Sequence, residues 1–190
     1  MSRTTELDRS VPGSLCRLAS SLVVVALWVC IGAPVARAQS EDQVKAAFLF
    51  NFARYVEWPD ASFDGPADAL RICMVGEDRF ADVVSSIVSG KRVEDRPVAV
   101  DALAGLEGAA SCHILYVAES FAAPASAIAA RLRGSSVFTV SDRAGFAARG
   151  GIANFIRSEN KIRFEINPGA AKQAGLKVSS RLLRLAKLVE

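Results

Sequence analysis

Apolar positions recur along this chain in two rhythms, and each rhythm predicts a different element. Phe80, Val83, Val84, Ile87 and Val88 follow the i, i+3, i+4, i+7, i+8 spacing of one helical face, and Gly90 ends the pattern. Short unbroken apolar runs predict buried strands instead. They are LRICMV (70–75), PVAV (97–100), CHILYV (112–117) and SVFTV (136–140). Residues 102–110 are small and punctuated by glycine, which predicts a loose helix. Residues 123–133 predict an alanine-rich helix closed by Gly134. Strands alternating with helices in this way imply an α/β fold, a mainly parallel open sheet with helices on both faces.

Beyond residue 140 the rhythm changes. GGIANFIRSENKIRFEIN predicts a β-hairpin with residues 158–161 at its tip. Its second strand alternates, with Ile162, Phe164 and Ile166 on one face and Lys161, Arg163, Glu165 and Asn167 on the other. Two helices are expected after it, at 168–174 and 179–189, separated by Gly175. In the second, Leu182, Leu185, Ala186 and Val189 make a buried stripe. Arg181, Arg184 and Lys187 make a basic face, with Leu183 and Leu188 at its margins.

The stretch KAAFLFNFARYVEWP (45–59) is the most aromatic part of the chain. Ser40-x-x-Gln43 ahead of it has the pattern of a capping box. The helix it opens is expected to end at Glu57 or Trp58, because Pro59 disfavours helical geometry just before it. On a helical wheel Val44, Ala47, Phe48, Asn51, Tyr55 and Trp58 fall on one stripe, with Phe52 at its edge. That stripe is expected to be core, with Asn51 buried in it and needing hydrogen-bond partners. Phe50 lies off the stripe near Arg54. It either covers a second internal surface or anchors a partner.

The first 38 residues change the accounting. Arg3, Arg9 and Arg17 precede an apolar stretch (18–36) that ends in Ala36-Arg37-Ala38 and a polar run. This is the layout of a secretory signal peptide cleaved after Ala38, leaving a single domain over 39–190; the rival reading is a retained membrane anchor. The leader holds four of the 23 Lys+Arg and two of the 20 Asp+Glu, so 19 and 18 remain, a net charge of +1. A balance this close to neutral gives no strong field for nucleic acid or anionic membrane. Two of the four cysteines remain, Cys73 and Cys112. In an oxidising compartment two cysteines most simply form one disulfide.

Catalytic chemistry is sparse. His113 is the single histidine, beside Cys112, and adjacent strand residues point to opposite faces, which makes a nucleophile pair a poor reading and a structural histidine the better one. One histidine and two bridged cysteines do not build a zinc site, and no cofactor motif occurs. Gly76-Glu77-Asp78 is a strand-to-helix turn, but its carboxylates repel an anion. Gly150-Gly151 leads into a strand and reads as a turn with unusual backbone angles, not a nucleotide loop. Ser141 and Asp142, with Thr139, end the fourth strand, where open α/β sheets bind ligands.

Taken together, KAAFLFNFARYVEWP, the C-terminal run GGIANFIRSENKIRFEINPGAAKQAGLKVSSRLLRLAKLV and the spaced pair Cys73 and Cys112 resemble the YfiR family of periplasmic proteins. The resemblance covers essentially all of residues 39–190. It implies an exported, non-enzymatic α/β regulator, commonly a homodimer, with the family disulfide at Cys73 and Cys112. It implies repression of a membrane diguanylate cyclase through that enzyme's periplasmic sensor part, relieved by an outer-membrane, peptidoglycan-binding lipoprotein. Some members carry a second bridge near the double glycine, but GFAARGGIANF here has no cysteine. The expected partner surface takes in Phe50, Arg54 and Trp58, the loop Gly150-Gly151, and Arg181, Arg184 and Lys187. The alternative is a small-molecule module binding near Ser141 and Asp142.

Overall fold

In the computed structural model residues 40–76 and 78–190 are described; the expected signal peptide lies outside them. The chain runs α1 (Glu41–Tyr55), β1 (Val56–Glu57), β2 (Leu70–Val75), α2 (Asp78–Val88), β3 (Arg92–Val93), β4 (Arg96–Leu103) and β5 (Ile114–Val117). It continues with α3 (Ala125–Arg131), β6 (Phe138–Ser141), β7 (Ala153–Ser158), β8 (Lys161–Ile166), α4 (Pro168–Gln173), β9 (Lys177–Val178), α5 (Ser180–Leu185) and β10 (Lys187–Leu188).

Eight strands form one sheet in the order β10-β8-β7-β6-β5-β2-β4-β3. The pairs β2–β4, β2–β5, β5–β6, β6–β7 and β8–β10 are parallel, while β3–β4 and the hairpin β7–β8 are antiparallel. Side chains alternate along the central strands to feed two cores. Ile72, Met74, Ile114, Tyr116, Phe138 and Val140 pack with α1 and α2. Cys73, Val75, Leu115, Val117 and Val137 pack on the opposite face with α3 and Phe146. A parallel sheet covered on both faces follows from unbroken apolar strands, because each needs burial on both sides.

The capping box is present, with Ser40 and Gln43 satisfying each other's backbone N–H. Three expectations are corrected. The first helix stops at Tyr55, not at Glu57 or Trp58, because Val56 and Glu57 pair antiparallel with Val178 and Lys177. The Ser179 N–H takes the Tyr55 carbonyl that another helical turn would have used. The buried stripe of α1 is Ala46, Leu49, Phe52 and Ala53, rotated from the expected one; Asn51 is half-buried on its flank. Phe52 sits at the centre of this core, 5.1 Å from the Phe164 ring and 5.4 Å from Phe138, and Phe48 packs beside it 5.1 Å from Phe164. Residues 102–110 form no loose helix, since β4 extends to Leu103 and only a single tight turn, Ala109–Ser111, follows.

The C-terminal segment departs furthest from expectation. The hairpin forms as expected, its tip made by Glu159 and Asn160 with φ of 50° and 57°, the left-handed pair that a two-residue turn requires. The last helix is only six residues long, and Lys187–Leu188 then extends along β8 as an edge strand. Of the stripe expected in a longer helix, Leu182 is buried, whereas Leu185 is 64% exposed; Leu188, expected at the margin, is 54% exposed. Pairing with the open edge of β8 satisfies backbone groups that more helix would have left bare on β8.

Candidate functional site

Cys73 and Cys112 are joined, with Cα atoms 5.9 Å apart, tying β2 to the residue before His113 at the entrance of β5. His113 is 4% exposed and fully engaged. Its Nδ1 accepts the Arg71 N–H at 3.0 Å, which places the ring proton on Nε2, donated to the Ser62 carbonyl at 3.1 Å. Burial pushes its pKa below the ordinary value, and the Arg96 and Arg71 charges push the same way against the Ser62 hydrogen bond. The ring stacks on Phe63 at 4.3 Å, and Arg96 covers the other region of Phe63 at 3.7 Å while donating to the Gly65 and Asp68 carbonyls. A neutral histidine with both nitrogens occupied, beside a bridged cysteine, is a brace and not a nucleophile pair. Phe63 and Arg96 carry no periodic signal and go unnoticed in the sequence.

Trp58 belongs to the same brace, its indole N–H donating to the His113 carbonyl at 3.1 Å. Its outer edge also lines a recess of about 400 Å³ with Arg54, Tyr55, Glu57, Phe63 and Arg96. Phe50 packs against the core with the Lys91 ammonium 4.7 Å from its ring, so the structure gives it an internal surface to cover.

Ser141 is 0% exposed; its hydroxyl donates to the Val117 carbonyl at 2.7 Å and accepts the Arg143 N–H. It has no surface to offer a ligand, which corrects that half of the expected strand-end site. Asp142 pairs with Lys45 at 3.3 Å through one carboxylate oxygen, while its other oxygen is buried with no hydrogen-bond partner. Burial works against the Lys45 charge, but Glu41 and Asp142 outweigh it and raise the Lys45 pKa. The Arg143 guanidinium donates to the Ala118 and Ala123 carbonyls, closing this end of the sheet.

The double glycine has two separate roles. Gly151 lies so close to Phe146 that a Cβ would fall 2.1 Å from the ring. Gly150 has φ of 102° and faces α3, where a Cβ would stand 3.5 Å from the Ala129 Cβ. It lines a cleft of about 270 Å³ together with Arg133, Thr139 and Arg149.

Of the basic residues at the C-terminus, Arg181 and Arg54 are brought together: both guanidinium groups lie over the Tyr55 ring, at 5.9 and 5.6 Å. Arg184 is exposed and, among the described residues, its guanidinium bonds to the Ser180 hydroxyl at 3.5 Å. Lys187 leaves this group, because as part of β10 it pairs with Glu165, 7% exposed, at 2.8 Å. The resulting rim combines three exposed guanidinium groups with the two exposed leucines Leu185 and Leu188. Among the described residues no group of histidines, cysteines and carboxylates is arranged to hold a metal ion, and no helix is long and apolar enough to cross a membrane.

The chain is similar to a solved conserved domain protein from Vibrio cholerae O1 biovar El Tor, with a TM-score of 0.54 and 10% identity, covering 80% of this chain and 60% of that one. The chain thus spans about three fifths of that protein's length, and at this identity the likeness is one of fold. A weaker likeness, TM-score 0.44 at 11% identity, is to the ABC domain in complex with L-Trp from Streptococcus pneumonia, covering 63% of this chain and 55% of that one. No curated protein matches the sequence. The YfiR/HmsC-like family model matches residues 42–187, from the first turn of α1 to the start of β10. The chain belongs to the YfiR/HmsC-like family.

Proposed function

We propose that this protein is an exported, non-enzymatic regulator of cyclic di-GMP signalling. It binds the periplasmic sensor part of an inner-membrane signalling protein, a diguanylate cyclase, and holds it inactive. The observation that carries the reading is the family match across residues 42–187. The geometry supports it in one respect: His113 and Cys112, the residues best suited to chemistry, are engaged in bracing the fold. A repressor of this kind works by binding the inactive receptor shape more tightly than the active one. A peptidoglycan-binding lipoprotein of the outer membrane that takes an overlapping surface releases the receptor by mass action. In this reading the regulator is a homodimer, and export removes residues 1–38.

The receptor surface in this proposal is the rim around α5: Arg54, Arg181 and Arg184 with Leu185 and Leu188. Exposed leucines flanked by guanidinium groups fit an acidic receptor face with an apolar centre. Lys187 is left out, because it already pairs with the buried Glu165 and reversing its charge would leave that carboxylate without its partner and facing a like charge. The test is the triple substitution Arg181→Glu, Arg184→Glu and Leu185→Ser. Binding to the purified sensor domain of the cognate cyclase is expected to weaken at least about a hundredfold, with an unchanged melting temperature. Cells carrying the variant are expected to accumulate cyclic di-GMP as a deletion strain does. Wild-type affinity in the variant overturns the rim; unchanged cyclic di-GMP in the deletion strain overturns the cyclase reading. The mass of the protein recovered from the envelope checks cleavage after Ala38.

A further inference from the structure

We propose that the cleft between α3, the Gly150 loop and α4 is a binding site for a small organic carboxylate with an apolar body. This site is separate from the rim and does not depend on the receptor reading.

The argument begins with the lining. Val137 and Ile152 form an apolar floor, Arg133 and Arg149 are the charged residues of the lining, and no aspartate or glutamate contributes. In a domain whose charges nearly cancel, a concave surface with two cations and no carboxylate is a local bias toward anions. The hydroxyls of Ser126, Ser135 and Thr139 and the amide of Gln173 add further donors.

Thr139 strengthens the case. It is buried, and its Oγ1 accepts the Ile152 N–H at 3.0 Å. Its hydroxyl lines the cleft and remains able to donate. An acceptor atom of a ligand would complete it. Arg133 is also uncommitted: it is exposed, and among the described residues neither a hydrogen bond nor an ion pair holds its head. Arg149 is anchored in its own loop through the Ala144 carbonyl, which leaves Arg133 as the uncommitted cation of the lining.

The mouth is held open by the backbone. Gly150 sits at φ of 102°, and a side chain there would enter the gap toward Ala129 and Ser126. A volume of about 270 Å³ lies at the small end of ligand clefts, which selects a compact ligand over a nucleotide or a peptide. Charge, donors and floor together select a carboxylate carrying a short apolar group.

The test is an amide NMR titration of the purified protein with three probes: sodium benzoate, benzyl alcohol and inorganic phosphate. Benzoate is expected to give saturable shifts at Gly134, Thr139 and Gly150, and to bind at least about tenfold tighter than either other probe. Arg133→Gln is expected to weaken benzoate about tenfold, the loss of one charge-assisted hydrogen bond, while Arg184→Gln on the distant rim leaves it unchanged. Because Arg133 braces nothing, its loss does not threaten folding. Failure to saturate below about 20 mM overturns the site. Equal binding of benzyl alcohol overturns the carboxylate, equal binding of phosphate overturns the apolar body, and shifts confined to α5 overturn the location.

Discussion

Two aromatic and cationic clusters in this molecule look alike in composition and differ in what their polar atoms do. Around His113, the imidazole nitrogens, the Trp58 indole and the Arg96 guanidinium each meet a backbone partner inside the fold. Around Tyr55, the Arg54 and Arg181 guanidinium groups lie over the ring, and Arg184 and Leu185 face solvent. The first cluster is matched internally and holds the disulfide end of the sheet in shape. The second leaves donors and apolar surface for another molecule. Residue type alone does not separate the two; the partners do.

The contrast can be broken or sharpened by substitution. The largest effect is expected from Cys73→Ala with Cys112→Ala, which releases a crosslink spanning 39 residues; the chain-entropy model puts the loss at about 4 kcal/mol, read from chemical denaturation. Next comes His113→Gln, expected to lose about 3 kcal/mol, since it removes a ring stacked on Phe63 and disturbs hydrogen bonds to Arg71 and Ser62.

The same variant tests the titration of His113. The unfolded chain protonates this histidine near pH 6.5, and the folded chain does so only at lower pH. Between those values the unfolded state binds more protons. Stability is therefore intact above about pH 6.5 and declines as pH falls, by at most about 1.4 kcal/mol per unit. Comparing the wild type with His113→Gln isolates this slope, and parallel pH profiles would show that His113 does not carry it.

A smaller loss, about 1 kcal/mol, is expected from Trp58→Phe, which deletes the indole hydrogen bond to the His113 carbonyl and leaves that carbonyl the Phe138 N–H. Least of all is expected from Arg181→Ser or Leu185→Ser, within about 0.5 kcal/mol by thermal unfolding, since neither side chain is buried. A rim substitution as damaging as Trp58→Phe would erase the difference between the clusters.

Much of the architecture was legible before any fold was seen, because it rests on short-range signals. The capping box at Ser40 and Gln43, the α2 stripe ending at Gly90, the buried runs that became β2, β5 and β6, and the hairpin tip all depend on residues a few positions apart. The pairing of Cys73 with Cys112 needed only elimination and the family likeness. The site was less legible. Helical spacing sets Phe50 off the expected stripe and Trp58 on it, but their place in the core and the brace depends on Lys91 and His113, far along the chain. Phe63, Arg96 and Arg133 carry no pattern, since a cleft or a stack is assembled from distant segments.

The sequence by itself determined the α/β alternation, the helix cap, the two-residue turn and the crosslink, because each follows from local backbone preference or from a single available partner. Only the tertiary structure decided where α1 stops, that residues 187–188 form a strand, and which leucines and arginines remain uncovered. The physical reason is that strand pairing is non-local. Tyr55 ends a helix because Ser179 and Val178 arrive beside it, and Leu188 is exposed because β8 offered an edge. No periodicity within either segment records that a partner strand will be there.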